Sequence, residues 1–195
     1  MDSLVAESER WRAMADALLA ESQLLPFLRE WGEVYFTGSY RYGLLLSADI
    51  DLYLLHPQAG QEQAVSILNA LIEQGYWNVY FYGDWVNFRA SDMPLGHYIG
   101  LKRNFGGVRW KVDIWNTPQV KSTYLEYNEW LERTLTPATR ELILAIKQAN
   151  IRYKWDLPGV TIYDAVLTNQ VASLEAFRQQ FVNVEPGNVG YRNSD

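Results

Sequence analysis

Three short segments hold residues that could do chemistry together. Asp49 and Asp51 stand two apart in the run Asp49-Ile50-Asp51-Leu52-Tyr53-Leu54-Leu55. Residues two apart in a strand point to the same face, so both carboxylates project side by side. Neighbouring anions repel, and ordinarily one takes a proton or the pair stays in open solvent; a divalent cation resolves the conflict. Asp113, in Val112-Asp113-Ile114, adds a third carboxylate if its strand neighbours the first. Three carboxylates on one sheet face make a hard-oxygen site suited to one or two Mg2+ or Mn2+ ions. Upstream lies Gly38-Ser39, with nine residues between Ser39 and Asp49. A glycine lets the backbone approach a phosphate closely, and a serine hydroxyl with the N–H groups of a following helix start can donate hydrogen bonds to it.

Each segment also has a plainer reading. An acidic pair alone fits the solvent-facing edge of an amphipathic strand, and Gly-Ser alone fits a strand-ending turn. The apolar Ile50, Leu52, Leu54 and Leu55 weigh against the first, because a largely buried strand that begins with paired carboxylates needs a reason. Asp84 and Asp92 compete with Asp113 for the third place, but neither has apolar residues on both sides in a convincing strand. Lys102, Arg103, Arg109 and Lys111 read as solvated faces of hairpin strands, although Lys111 shares strand parity with Asp113 and can point into a cleft. His56, before Pro57, reads as a turn residue, and His97 as a structural or surface residue.

The composition narrows the classes. A chain of 195 residues suffices for one domain with a sizeable core, or a core with a small appendage. The absence of cysteine excludes disulfide frameworks, thiolate zinc sites and cysteine nucleophiles. With only two histidines, any metal is expected to sit on carboxylate oxygen. A net charge of −6 lacks the basic excess of duplex-binding proteins, so duplex nucleic acid is not an expected partner. No apolar run is long enough for a bilayer, the N-terminus lacks the form of a secretory signal, and a cytoplasmic location is expected. Eight tryptophans and thirteen tyrosines leave aromatic groups to spare for stacking.

The elements that must position these residues follow from periodicity. Residues 3–23 read as an amphipathic helix and 24–31 as a short one ending at Gly32. Strands are expected at 33–37 and 49–55, with a short helix over 40–46 between them and a helix over 61–74 closed by Gly75. Aromatic runs at 77–82 and 85–90 read as a hairpin about Gly83-Asp84, and 98–104 with 108–115 as a second about Gly106-Gly107. Beyond Pro118, helices are expected at 121–134 and 137–154, with Thr136 as N-cap, then near 162–168 and 173–181. Thr161 to Asp164 reads as a capping box, and the tail from Glu185 as extended or loose. The fold class is α/β (α+β): a mixed sheet flanked by helices in residues 1–116, with a C-terminal helical region, 117–195, packing on it.

Taken together, the segment FTGSYRYGLLLSADIDLYLL resembles the signature of the DNA polymerase beta-like nucleotidyltransferase superfamily. That pattern is an apolar residue near Gly-Ser, about ten intervening residues, then Asp-apolar-Asp-apolar, with a third carboxylate on a later strand. The resemblance covers about residues 33–116 and departs from the pattern at Ser47, which stands one residue further from the acidic pair than in the Ser-Asp-x-Asp form. It implies a metal-dependent enzyme that moves a nucleoside monophosphate from an NTP to an acceptor hydroxyl and releases pyrophosphate. Asp49 and Asp51 would bind both ions, Asp113 would bind the ion near the acceptor and help deprotonate its hydroxyl, and Gly38 and Ser39 would hold the NTP phosphates. Arg41 could also contact phosphate, or be a solvated helix residue.

The acidic balance and modest size favour a small-molecule acceptor, as in antibiotic-modifying members. Toxin–antitoxin style nucleotidylation of a protein or RNA is the second reading. A non-catalytic nucleotide-binding scaffold is the third, opposed by the presence of all three carboxylates. Tyr40, Tyr42, Trp85 and Tyr153 are the aromatic residues considered for contact with the base.

Overall fold

A computed structural model describes residues 3–88, 94–119 and 122–182. The chain divides into two compact units, residues 1–133 and 134–195.

The first unit is built on five strands: β1 (Glu33–Thr37), β2 (Asp49–Leu55), β3 (Val79–Asp84), β4 (His97–Phe105) and β5 (Val108–Thr117). Their order across the sheet is β1-β2-β5-β4-β3. β2 and β5 run parallel and the other neighbours antiparallel, so the sheet is mixed. Helices α1 (Leu4–Glu21), α2 (Leu24–Arg29), α3 (Gly38–Tyr42), α4 (Gln61–Gln74) and α5 (Ser122–Thr134) complete it. Strand alternation decides which residues face the helices. Ile50, Leu52 and Leu54 on β2, Val112 and Ile114 on β5, and Ile99 and Leu101 on β4 are fully buried on one face. They form one cluster with Ala15 and Leu18 of α1 and Ala64, Ile67 and Leu71 of α4. Each such aliphatic side chain contributes about 1.5–3 kcal/mol by leaving water. Trp110, also fully buried, meets Trp11 edge-on at 5.8 Å between ring centroids.

Local signals explain the ends of these elements. The Ser3 side chain accepts from the Ala6 N–H at 3.2 Å and starts α1. Gly43 and Gly75 end α3 and α4 in left-handed conformation.

The second unit is helical. α6 (Pro137–Tyr153) begins at Thr136, whose side chain and that of Thr139 satisfy each other's backbone N–H, and Pro137 occupies its first turn. α7 (Gly159–Leu167) and α8 (Leu174–Phe177) both pack on α6, and a π-helical turn, Arg178–Val182, follows α8. The Asn150 amide brackets the backbone of Leu157, donating to its carbonyl at 3.0 Å and accepting from its N–H at 3.1 Å.

Three sequence expectations need correction. Among the described residues, the hairpin expected at 77–82 and 85–90 is not seen, and residues 89 and 90 lie outside them. β3 runs through Gly83 to Asp84 and pairs with β4, while Trp85–Asn87 form a turn. The aromatic content of both runs resembled strand, but the Asp84 carboxylate accepts from the Val86 and Asn87 N–H groups at 3.0 and 3.1 Å and turns the chain. The short helix expected at 40–46 lies earlier, at Gly38–Tyr42, because Gly43 ends it. Thr161 does not open a capping box: α7 starts two residues before it, after Pro158. All of α5 but its last residue, Thr134, lies within the unit of residues 1–133. Asp92, Ala90 and the tail from Glu185 lie outside the described residues.

Candidate active site

The face of the sheet opposite the apolar cluster carries the candidate residues. Strand register arranges its residues in rows. Asp51 pairs with Thr37 of β1 on one side and with Asp113 of β5 on the other; Asp113 in turn pairs with Gly100 of β4. One row away, Asp49 stands opposite Lys111, and Lys111 opposite Lys102. The parallel pairing of β2 with β5 thus puts all three predicted carboxylates on one face. One oxygen from each of Asp49, Asp51 and Asp113 lies within 4.8 Å of the others. The donor set is all carboxylate oxygen, and the cluster already attracts a cation from the protein. Both observations fit a divalent hard cation such as Mg2+ or Mn2+.

That internal cation is Lys111. Its ammonium lies 2.9 Å from Asp113 Oδ2 and 3.4 Å from Asp49 Oδ1. Burial alone would lower its pKa, but the hydrogen bond to Asp113 and the charges of Asp49, Asp113 and Asp51 raise it above the ordinary lysine value. The other oxygen of Asp113 is also held. The Tyr98 hydroxyl donates to Asp113 Oδ1 at 2.8 Å. Burial first, then the charge and hydrogen bond of Asp113, raise the Tyr98 pKa, so its phenol stays a neutral donor. Tyr98 reaches Asp113 by lying across Gly100: a Cβ at Gly100 would collide with the Tyr98 hydroxyl. Neighbouring Tyr53, 8 % exposed, is pushed up to about 12 by burial and the nearby Tyr124 and Asp51.

Gly38 and Ser39 open α3 directly beside the triad. Gly38 has φ +65°, which disfavours L side chains, and a Cβ there would lie 2.6 Å from Asp51 Oδ2. Both facts require glycine. α3 is clamped from two sides. Arg12 of α1 donates to the Tyr40 carbonyl at 2.6 Å and lies over the Tyr40 ring at 4.0 Å, while Ser8 donates to the Gly43 carbonyl at 3.0 Å. From α5, Asn128 accepts from the Tyr42 hydroxyl and from Thr37 Oγ1. The segment expected to meet phosphate is therefore fixed by packed helices.

Arg41 is paired with α5. Its guanidinium forms a bidentate pair with Glu132 of α5, both contacts at 2.8 Å, and stacks on Tyr35 at 4.4 Å. Tyr40 and Tyr42 are buried, 6 % and 5 % exposed, which removes them as stacking surfaces for a base. Asp84 is not part of the triad: it lies in the row of His97 and caps the Trp85–Asn87 turn. His97 is buried and shares a hydrogen bond with the Tyr82 hydroxyl at 3.0 Å, and His56 Nδ1 accepts from the Gln58 N–H in a turn, as expected of each. Sequence reasoning missed Tyr98, Asn128 and Glu132. Only Tyr98 left a signal, the glycine two residues later on the same strand face.

No family model matches the chain, and no curated protein matches its sequence. Solved structures do match in fold. The polymerase core of TRAMP, an RNA surveillance complex, is similar with a TM-score of 0.52 and 20% identity over 77% of this chain and 49% of that one. The Cid1 poly(U) polymerase, in a form with Mg and 3′-dATP bound, gives 0.50 and 20% over 78% and 47%. The noncanonical poly(A) polymerase complex GLD-2–GLD-3 gives 0.51 and 15% over 93% and 64%. This chain spans about half the length of the first two. The five-stranded mixed sheet flanked by helices is thus a fold that this chain shares with these polymerases.

Proposed function

We propose that the protein transfers a nucleoside monophosphate from an NTP to an acceptor hydroxyl, with release of pyrophosphate. One observation carries this reading. The register of β2 against β5 brings Asp49, Asp51 and Asp113 to one point beside Gly38, whose lack of a side chain leaves room for the Asp51 carboxylate. Asp49 and Asp51 would hold the metal ions together, and Asp113 would hold the acceptor-side ion and take the proton of the attacking hydroxyl. When bound, the ions supply charge neutralisation to the attacking and leaving oxygens. Gly38 admits the triphosphate to within hydrogen-bonding distance of the backbone, and Ser39 offers its hydroxyl. The clamps from α1 and α5 keep this segment in one geometry, so little ordering remains to be done on binding.

The acceptor divides two finer readings. A small molecule is supported by the net charge of −6, which disfavours long polyanions. A polymer end, in a nucleotidylation of RNA, is supported by the sheet face itself: Lys102 stands over the half-exposed Phe81 at 4.9 Å, in rows continuous with Lys111 and Asp113. A cation beside an exposed ring is what single strands stack on. The three structural neighbours are the polymerase core of an RNA surveillance complex, a poly(U) polymerase and a poly(A) polymerase complex, which points the same way.

The test is transfer of label from each α-labelled NTP, with Mg2+, onto a panel of RNA oligonucleotides with free 3′-hydroxyls, proteins and small polyols. Labelled product that disappears in Asp49→Ala is expected. Absence of product with every acceptor, together with no metal-dependent NTP binding, overturns the reading.

A further inference from the structure

Lys111 is not accounted for by any role above. Its position follows from topology: it is the register partner of Asp49 and precedes Asp113 by two residues on the same strand face. A parallel β2–β5 pair therefore places its stem between two carboxylates whatever else the site contains. Its backbone is pinned by donation to the Ala48 carbonyl at 2.9 Å. Its side chain is 37% exposed, so the ammonium has solvent to move into.

We infer that Lys111 is a built-in counter-cation that holds Asp49 and Asp113 together in the metal-free site and competes with a divalent ion for the same oxygens. The inference rests on the nucleotidyltransferase reading only in that the triad binds metal. Three carboxylates converging within 4.8 Å repel one another, and the ammonium offsets one of the three charges. Binding a divalent ion to Asp49 Oδ1 and Asp113 Oδ2 requires Lys111 to release both, and its charge then opposes the newcomer from close range. Metal alone is held weakly as a consequence. A triphosphate adds the negative charge that outweighs the lysine and offers the displaced ammonium a new partner. Metal and nucleotide therefore bind as a coupled pair, and the free ion does not saturate the site.

The experiment is a titration of the whole chain with Mn2+ in the absence of nucleotide, with free ion counted by electron paramagnetic resonance. Wild type, Lys111→Met, Lys111→Arg and Asp51→Asn are compared, with thermal melts in chelator alongside. Lys111→Met should bind Mn2+ about tenfold tighter or more, since a like charge a few ångströms from a divalent ion acts even through water. Lys111→Met should also melt lower in chelator and recover with metal. Lys111→Arg, which keeps the charge, should bind as wild type does. Equal or weaker binding by a folded Lys111→Met overturns the inference and makes Lys111 an organiser of the metal site. Binding by none of the variants, wild type included, overturns the metal reading itself and this inference with it.

Discussion

Gly38→Ala separates the chemistry of the site from the strain of its backbone. Two costs arise at this position. An L residue at φ +65° costs about 1–2 kcal/mol over glycine. The added methyl would also sit 2.6 Å from Asp51 Oδ2, where ordinary contact begins at 3.4 Å, so the carboxylate must retreat by about 0.8 Å. A misplacement near 1 Å at reacting groups costs on the order of 100-fold in rate. Gly75 supplies the control. It has φ +67° and nothing within 4 Å of a Cβ, so Gly75→Ala carries the strain without the contact. Both variants should lose about 1–2 kcal/mol in denaturant unfolding. Only Gly38→Ala should lose kcat/KM for pyrophosphate release, on the order of 100-fold. Equal activity in the two variants would refute the claim that Gly38 is glycine because Asp51 must stand against it.

Three further outcomes follow from other contacts. Tyr98→Phe removes the donor to Asp113 Oδ1 and should lower kcat about tenfold with little change in the KM for NTP; the two parameters are read from initial rates. Glu132→Gln breaks the pair with Arg41. Because the Arg41 hydrogen bond holds the Glu132 pKa below its unfolded value, the pair stabilises the fold above that value and its contribution is lost as pH falls through the folded pKa. The partly exposed pair is worth about 0.2–1 kcal/mol, so wild type and Glu132→Gln should differ by that much in thermal or denaturant stability at pH 7 and converge in acid. Trp110→Ala, in the fully buried core against Trp11, should destabilise by about 3–5 kcal/mol in the same unfolding measurement.

The legibility of the sequence varied with the range of the interaction. β1, β2, α4 and the β4–β5 hairpin are set by local patterns, namely alternation, helical spacing and glycine ends, and each lies where those patterns place it. The acidic pair on β2 was legible for the same reason: strand parity is local. That Asp113 joins it depends on β2 and β5 becoming parallel neighbours across some fifty residues of chain, which apolar flanks suggested but could not specify. The misplaced hairpin failed on a competition between levels. Trp85 and Phe88 favour strand, and one carboxylate accepting two backbone N–H groups turns the chain instead. Arg41 two residues past Ser39 matched a phosphate contact in spacing; Glu132, 91 residues away, was invisible to that reasoning and takes the guanidinium. Lys111 carried the right parity, yet charge patterns in hairpins usually mark solvated faces, and only the register with Asp49 sets its place in the triad.

The claim that Asp49, Asp51 and Asp113 form a metal-dependent nucleotidyl site is tested most directly by a crystal structure with Mn2+ and a non-hydrolysable NTP. Anomalous scattering should place manganese at about 2.0–2.2 Å from oxygens of Asp49 and Asp51, the separation that hard cations adopt with carboxylates, with the triphosphate against Gly38 and Ser39 and Lys111 drawn off Asp49. Manganese bound elsewhere, or a nucleotide seated away from Gly38 with the carboxylates still holding Lys111, would contradict the account.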